Sequence, residues 1–268
     1  MRRALTLALT TALLTLLPSG AVPAAGACLL GTATIESTGG KVTGTEGDDI
    51  ILVTGPATIS ALGGHDRICA VAGSTVDAGA GNDSLELSGS SDQPVEVDLG
   101  DGDDRLVVGS RESRPAVTGD VHAGDGRDLL ELSADKRIDV DLSGGNVKVR
   151  QQHVLTFLVI DGFVDAVAVA PRVNVSGDRW ANEVAAWACY ATVHAGAGRD
   201  RVHLYAAPGS FRSRRCPTDR HARFFGAAGD DVLTGLRWSD RLVGGPGHDV
   251  AQGHGGRDEC VAEVEVRC

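Results

Sequence analysis

The sequence predicts an all-β protein folded as a parallel β-roll, a β-solenoid of roughly 18-residue coils. Three observations predict it: a nine-residue repeat in a constant register, short runs of alternating apolar and polar residues between the repeats, and almost no helical pattern. Because each coil of a solenoid buries its apolar side chains against its neighbours, such a repeat favours one continuous stack.

The repeat is clearest in residues 226–261, which read GAAGDDVLT, GLRWSDRLV, GGPGHDVAQ and GHGGRDECV when cut every nine residues. Position 6 is always aspartate, position 8 carries an apolar residue or cysteine, and the same frame occurs earlier in the chain. A degraded copy, GDRWANEVA, has Asn182 at position 6. The position-6 aspartates are Asp49, Asp66, Asp83, Asp104, Asp128, Asp200, Asp231, Asp240, Asp249 and Asp258.

Glycine is the usual residue at position 4 of the repeat. Because glycine adopts backbone torsions that other residues resist, the chain can turn there with its carbonyl groups pointing inward. Trp180 and Trp238 replace it in two copies, and we expect those two turns to be distorted or weak. The position-4 glycines are Gly47, Gly64, Gly81, Gly102, Gly126, Gly198, Gly229, Gly247 and Gly256.

The spacing of the repeats sets the length of a coil. Asp49, Asp66 and Asp83 follow one another at intervals of 17 residues, and two tandem nonapeptides make 18. Runs between the turns, such as SLELS (84–88) and VEVDL (95–99), alternate with period two and therefore predict short strands.

Three segments depart from the repeat. Residues 138–177 lack its signature, and we expect them to keep the coil without the turn. Within them, HVLTFLVIDGFVDAVAVA (153–170) is long enough to span a membrane, but Asp161 and Asp165 would be costly there, so two strands around an IDGF turn are predicted instead. Residues 203–225 are predicted to be an insertion between coils.

The N-terminus is typical of an exported protein. Two arginines precede an apolar run in MRRALTLALTTALLTLLP, which predicts a signal peptide over residues 1–27 and a secreted, extracellular protein with one domain over residues 28–268. The alternative is a lipid anchor on Cys28, because Gly26-Ala27-Cys28 fits a lipoprotein junction. No transmembrane segment is predicted in the mature chain.

Cysteine usage agrees with export. The chain has six cysteines, and oxidising conditions favour three disulfides, although fifteen pairings are possible in principle. Proximity along the chain suggests Cys28 with Cys69, Cys189 with Cys216, and Cys260 with Cys268.

Charge and turn chemistry together predict calcium binding. The net charge of -11 disfavours nucleic acid as a partner and favours cations. Calcium takes six to eight oxygen ligands from carboxylates and backbone carbonyls, which an aspartate in a glycine-rich turn supplies. One isolated turn of this kind would indicate only a strand end, since Gly and Asp are ordinary turn formers, but ten copies in one register indicate a shared chemical role.

One turn supplies too few oxygens, so stacked turns on neighbouring coils, at the strand spacing of about 4.8 Å, are expected to share an ion. We expect Asp231 to stack with Asp249, and Asp240 with Asp258. Asp49, Asp66 and Asp83 should form a ladder on one edge, and Asp104 with Asp128 is a looser pair. Without ions the carboxylates repel, so binding should be coupled to folding.

These turns resemble the GGxGxDxUx nonapeptide of the RTX, or haemolysin-type calcium-binding, repeat family, and GGPGHDVAQ (244–252) is the nearest single copy. The opening CLLGTATIESTGGKVTGTEGDDIIL (28–52) also resembles the front end of secreted bacterial members. The resemblance implies a parallel β-roll whose position-6 aspartates and turn carbonyls hold Ca²⁺. Family members exported by a type I system lack an N-terminal signal, so the present N-terminus implies another route.

Catalytic signatures are missing: there is no G-x-S-x-G elbow, phosphate-binding loop or zincin helix, and the eight histidines do not form a zinc pattern. A non-enzymatic protein is therefore predicted. A polysaccharide-degrading β-helix enzyme is the alternative, but its candidate residues Glu131, Asp139, Asp141 and Arg150 do not clearly converge. An adhesin or surface-matrix component is compatible with the calcium-binding prediction.

Arginines crowd the predicted insertion over residues 203–225. A solvated loop held by Cys216 explains them, and a docking site for an anionic cell-wall polymer or polysaccharide is the alternative. The arginines are Arg212, Arg214, Arg215, Arg220 and Arg223.

Overall fold

The computed structural model describes residues 31–109, 117–151, 154–205, 216 and 220–268. Within these ranges the chain contains β-strands and turns and no helix, and the strands form two long sheets. Each regular coil contributes one strand to each sheet, so the predicted β-roll is confirmed.

Sheet A has twelve strands, all parallel, and consecutive coils follow one another across it. In spatial order its strands are β1 (Ile35–Ser37), β3 (Ile50–Val53), β5 (Arg67–Val71), β7 (Ser84–Ser88), β9 (Arg105–Val108), β11 (Asp128–Ser133), β15 (Phe163–Val169), β17 (Glu183–Trp187), β19 (Arg201–Leu204), β21 (Val232–Thr234), β23 (Val250–Gln252) and β25 (Val264–Val266).

Sheet B has thirteen strands and faces sheet A across the core. In spatial order its strands are β2 (Gly40–Thr43), β4 (Ala57–Ser60), β6 (Thr75–Asp77), β8 (Val95–Asp98), β10 (Thr118–His122), β14 (Val154–Asp161), β13 (Asn146–Gln151), β12 (Arg137–Asp141), β16 (Arg172–Ser176), β18 (Tyr190–Ala197), β20 (His221–Ala228), β22 (Arg241–Val243) and β24 (Glu259–Val261).

The core lies between the sheets and is built from ladders of like side chains. Position 8 of the repeat points inward, as in Ile51, Ile68, Leu85, Leu106 and Leu130, which are fully buried. In-register parallel pairing places each of these residues beside its equivalent in the next coil, as Ile68 lies beside Leu85. Burial of these apolar side chains along the stack therefore makes the main favourable contribution to the free energy of folding.

The expectation that residues 138–177 keep the coil is wrong for their first part. Strands β12, β13 and β14 form an antiparallel meander within sheet B. These three strands lie between β10 and β16, where a regular coil would contribute one. A tight turn explains the reversal: Asp141 accepts hydrogen bonds from the Ser143 hydroxyl and the Gly144 N–H, and Gly145 has a positive φ of 64°. The regular coil resumes with β15 and β16.

The two strands predicted around the IDGF turn are present as β14 and β15, and they lie in opposite sheets. No helix of the described chain is long and apolar enough to cross a membrane. Disulfides join Cys189 to Cys216 and Cys260 to Cys268, as predicted. Cys69 is also disulfide-bonded, but its predicted partner Cys28 lies outside the described residues.

Substitution of a core leucine should cost far more than the same substitution on the surface. Leu130 is 0% exposed between the sheets, whereas Leu155 is 51% exposed on the outer face of β14. We expect Leu130→Ala to lower the free energy of unfolding by about 2–5 kcal/mol and Leu155→Ala by less than about 1 kcal/mol. Urea denaturation followed by circular dichroism measures both, and equal losses would contradict this assignment of the core.

Candidate metal centre

All the position-6 aspartates except Asp240 and Asp258 form a ladder along one edge of the solenoid, at the corner where each coil enters sheet A. In seven of them one carboxylate oxygen, Oδ1, accepts a hydrogen bond from the backbone N–H of the equivalent residue in the preceding coil. The N–H to Oδ1 pairs are Asp49 to Asp66 (2.8 Å), Asp66 to Asp83 (2.7 Å), Asp83 to Asp104 (2.7 Å), Asp104 to Asp128 (2.8 Å), Asn182 to Asp200 (2.8 Å), Asp200 to Asp231 (2.8 Å) and Asp231 to Asp249 (2.9 Å).

The second carboxylate oxygen, Oδ2, is buried in seven of these aspartates and has no hydrogen-bond partner. Leaving a buried carboxylate oxygen unsatisfied is costly, so each one requires a proton or a cation. The seven aspartates are Asp66, Asp83, Asp104, Asp128, Asp200, Asp231 and Asp249.

The pKa values of three ladder aspartates also indicate that these carboxylates require a proton or a cation. The pKa of Asp83 is raised to about 7, mainly by burial and also by the neighbouring carboxylates of Asp104 and Asp66, against the lowering effect of the hydrogen bond from the Asp66 N–H. Burial likewise raises the pKa values of Asp104 and Asp200 to about 6. In the absence of a metal ion, these three carboxylates therefore bind protons at higher pH than an ordinary aspartate does.

Eight copies of the repeat share one turn conformation, and we call them open turns. In every open turn the residues at positions 2 and 4 both have positive φ, and the position-4 residue is glycine. Leu62, Ala227 and His254 adopt this conformation at position 2 without being glycine, at φ values of 80°, 82° and 71°, which is strained for an L-residue. The open turns contain Asp66, Asp83, Asp104, Asp128, Asp200, Asp231, Asp249 and Asp258.

The three remaining copies are closed turns, in which the position-2 N–H donates a hydrogen bond to the position-6 side chain. Thr45 donates to Oδ2 of Asp49 at 2.7 Å, and Leu236 donates to Oδ2 of Asp240 at 2.9 Å. The Asp178 N–H donates to Oδ1 of Asn182 at 3.0 Å. None of the three has a positive φ at position 2 or 4. Their position-6 side chains are thus satisfied without an ion.

Two of the closed turns carry tryptophan at position 4, so Trp180 and Trp238 mark altered turns, as predicted. The turn of Asp49 is closed although it has Gly47 at position 4. There the hydroxyl and N–H of Thr45 and the hydroxyl of Thr34 all donate to the carboxylate. Burial acts to raise the pKa of Asp49, but these hydrogen bonds outweigh it and the pKa is lowered.

The predicted stacking is present. Asp231 lies beside Asp249 on the long ladder, and the Asp240 N–H donates to Oδ1 of Asp258 at 2.9 Å on the opposite edge, before sheet B. The ladder also continues from Asp83 to Asp104 and from Asp200 to Asp231, which the prediction did not connect.

Glu263 was missed by the sequence reasoning. Its carboxylate accepts the Asp249 N–H at 2.8 Å, directly before β25, in the place that an aspartate fills in other coils. Its position before a strand is the signal that could have identified it, because Glu263 lies outside the nonapeptide frame.

The ladder is interrupted at the coil of β15, which has no repeat turn. The guanidinium group of Arg127 lies at this interruption. It donates two hydrogen bonds to Asp165, at 2.7 and 2.8 Å, and a third to the Ala181 carbonyl at 3.2 Å. The Asn182 amide donates to the Val164 carbonyl at 2.7 Å. Side chains therefore link these three coils without a metal ion.

Backbone carbonyls have to complete any metal site here. In the described parts of the chain, no three His, Cys, Asp or Glu side chains converge on one point. The turns approach so closely that a Cβ on Gly81 would lie 1.8 Å from the carbonyl oxygen of Gly64, and one on Gly126 the same distance from that of Gly102. A carboxylate oxygen with stacked carbonyl groups is an oxygen-only donor set, which fits calcium and excludes zinc chemistry.

Stability without metal should fall as the pH rises. The folded-state pKa values of Asp83, Asp104 and Asp200 lie above the value of about 3.9 for an unfolded aspartate. At pH values between the unfolded and folded pKa, the folded protein therefore binds more protons than the unfolded chain does. In chelator, we expect the free energy of unfolding to drop by on the order of 2 kcal/mol from pH 4.5 to pH 7.5. Urea denaturation at both values tests this, and excess calcium should abolish the drop because the ion keeps the carboxylates ionised.

Residues 239–263 match the family model of the RTX calcium-binding nonapeptide repeat (4 copies). A search of the curated proteins finds no significant match to the chain. The matched segment includes the complete open turns of Asp249 and Asp258, and the same turn geometry occurs in the open turns from Asp66 onwards. The chain therefore carries calcium-binding repeats of the RTX type, matched over residues 239–263.

Proposed function

We propose that this protein is a secreted, non-catalytic β-roll whose calcium ions complete its fold outside the cell. The observation that carries the proposal is the row of seven buried Oδ2 atoms without partners, in turns whose glycines bring carbonyl groups alongside. A calcium ion would satisfy carboxylate and carbonyl oxygens together, which a proton on one carboxylate does not.

The open turns would hold the ions, one between each two neighbours on the long ladder. That arrangement gives two metal-dependent segments separated by the Arg127 link and the closed turn of Asn182. The closed turns of Asp49 and Asp240 would contribute little, because their oxygens already accept hydrogen bonds. The proposed sites lie between Asp66 and Asp83, Asp83 and Asp104, Asp104 and Asp128, Asp200 and Asp231, and Asp231 and Asp249.

Calcium would couple binding to folding. Without ions, each ladder carboxylate lies next to others in a buried position, where like charges repel strongly. Binding would remove this repulsion and offset the strained torsions of Leu62 and Ala227. A chain of this kind would be loosely folded at low calcium and ordered at millimolar calcium.

Secretion is supported by the signal-like residues 1–27 and by the disulfides Cys189–Cys216 and Cys260–Cys268, which persist in oxidising surroundings. A lipid anchor at Cys28 remains the alternative form of export. Extracellular calcium is plentiful, so an exported chain would meet its ligand only after leaving the cell.

A non-catalytic role is supported by the positions of the enzyme candidates. Glu131 lies on sheet A, where it forms an ion pair with Arg105. Asp139, Asp141 and Arg150 lie on sheet B. The two groups are therefore on different sheets, and they do not form the facing pair of carboxylates that a glycoside hydrolase uses.

Asp104→Asn tests the assignment of the ions. The variant should bind about two fewer calcium ions than the wild type, because Asp104 belongs to two proposed sites, and it should be less stable in calcium. In chelator it should be at least as stable, because a buried negative charge is removed. Equilibrium dialysis with metal analysis and urea denaturation measure these effects.

Asp120→Asn is the matched control, since Asp120 is an exposed carboxylate on β10 and its substitution changes the net charge equally. Its calcium count should equal that of the wild type. An unchanged count in Asp104→Asn would contradict the proposed sites, and a wild-type chain that binds no calcium would contradict the proposed function.

A further inference from the structure

The charge on the outer face of sheet B varies along the solenoid. Strands β6, β8 and β10 present exposed carboxylates, whereas the strands from β13 to β24 in spatial order present more cations than carboxylates (Asp139, Asp141 and Glu259), although the protein as a whole has a net charge of -11. The acidic part carries Asp77, Glu96, Asp98 and Asp120 on β6, β8 and β10. The later part, which we call the basic face, carries Arg137, Lys148, Arg150, Arg172, Arg223 and Arg241.

Three arginines of the basic face stand in register on adjacent strands. Arg137 on β12 pairs with Arg150 on β13 on one side and with Arg172 on β16 on the other. Directly opposed like charges destabilise a sheet. In the described chain only Arg137 of these three has an ion pair, with Asp139 at 2.7 Å. The fold thus keeps an arrangement of charges that costs stability.

Aromatic rings hold several of the guanidinium groups in place. Arg172 lies over the ring of Tyr190 at 5.4 Å, and Tyr190 packs edge-on against His221. Arg220 lies over Trp238 at 4.3 Å. Such cation–π contacts restrict a long side chain before any ligand binds, which lowers the entropic cost of recognition.

We propose that the basic face binds a linear polysaccharide that carries carboxylate groups. The row of Arg150, Arg137, Arg172, Tyr190 and His221 crosses five neighbouring strands, or about 19 Å, and presents planar guanidinium forks that match carboxylates. Arg223 belongs to the basic face, and Arg220 directly precedes its strand β20. These two are the arginines of the insertion predicted over residues 203–225 that the structure describes.

A narrow chain fits this surface better than a broad anionic surface does. A membrane or a DNA duplex lying on sheet B would also meet the acidic strands from β6 to β10, which would repel it. Single-stranded nucleic acid needs open ring faces for its bases, but arginines lie over the rings of Tyr190 and Trp238, and His194 stacks on Phe225. The inference goes beyond calcium binding, and none of the proposed calcium-binding aspartates takes part in it.

The test compares calcium-loaded wild type with Arg150→Gln/Arg172→Gln/Arg223→Gln for binding to hyaluronate by isothermal calorimetry. The matched control, Arg201→Gln/Arg237→Gln/Arg267→Gln, removes the same charge at exposed positions outside the basic face. We expect the wild type and the control to bind with a strong salt dependence, and the basic-face variant to bind at least ~10-fold more weakly. Neutral dextran should not bind to any of the three.

Several outcomes would overturn the proposal: no binding of hyaluronate by the wild type, equal losses in both variants, or equally tight binding of single-stranded DNA or phosphatidylglycerol vesicles. Circular dichroism and the calcium count, measured on all three proteins, separate this proposal from the calcium function. A basic-face variant with a normal calcium count and no hyaluronate binding supports the surface assignment, whereas a normal count with unchanged binding contradicts it.

Discussion

The structure depends on one constraint: at seven coil corners an aspartate has one carboxylate oxygen hydrogen-bonded to the preceding coil and the other buried without a partner. The first oxygen fixes the register, because Oδ1 accepts a backbone N–H that would otherwise be unsatisfied where the strand begins. The second oxygen requires a proton or a cation. Under the proposed function, the same side chain therefore aligns neighbouring coils and makes their alignment depend on calcium.

Most of the fold could be predicted because the turn encodes it. The sequence spacing between Asp49, Asp66 and Asp83 sets the number of residues in a coil, and the apolar residue at position 8 sets which face of the strand is buried. The meander of β12 to β14 could not be predicted in the same way. Alternation with period two occurs in parallel and antiparallel strands alike, so only the turn at Gly145 distinguishes them, and it lies outside the repeat.

The site was predictable at the level of residue type and less so at the level of individual turns. Glycine at position 4 accompanies every open turn, and tryptophan there accompanies two of the three closed ones. Gly47 shows the limit of this rule: the Asp49 turn is closed by the hydroxyl and N–H of Thr45, hydrogen bonds that glycine spacing does not reveal. The Arg127 link was also hidden, because its partners Asp165 and Ala181 lie 38 and 54 residues away.

The antiparallel meander has a consequence for assembly of the chain. Coils that differ little from one another could pair with the wrong neighbour, displaced by a whole repeat, and still bury similar side chains. Strands β12, β13 and β14 have no equivalent elsewhere in the described chain, and they lie between β10 and β16. This unique segment acts as an alignment key, since a displaced pairing of the two repeat arrays would separate β14 from β10 or β12 from β16.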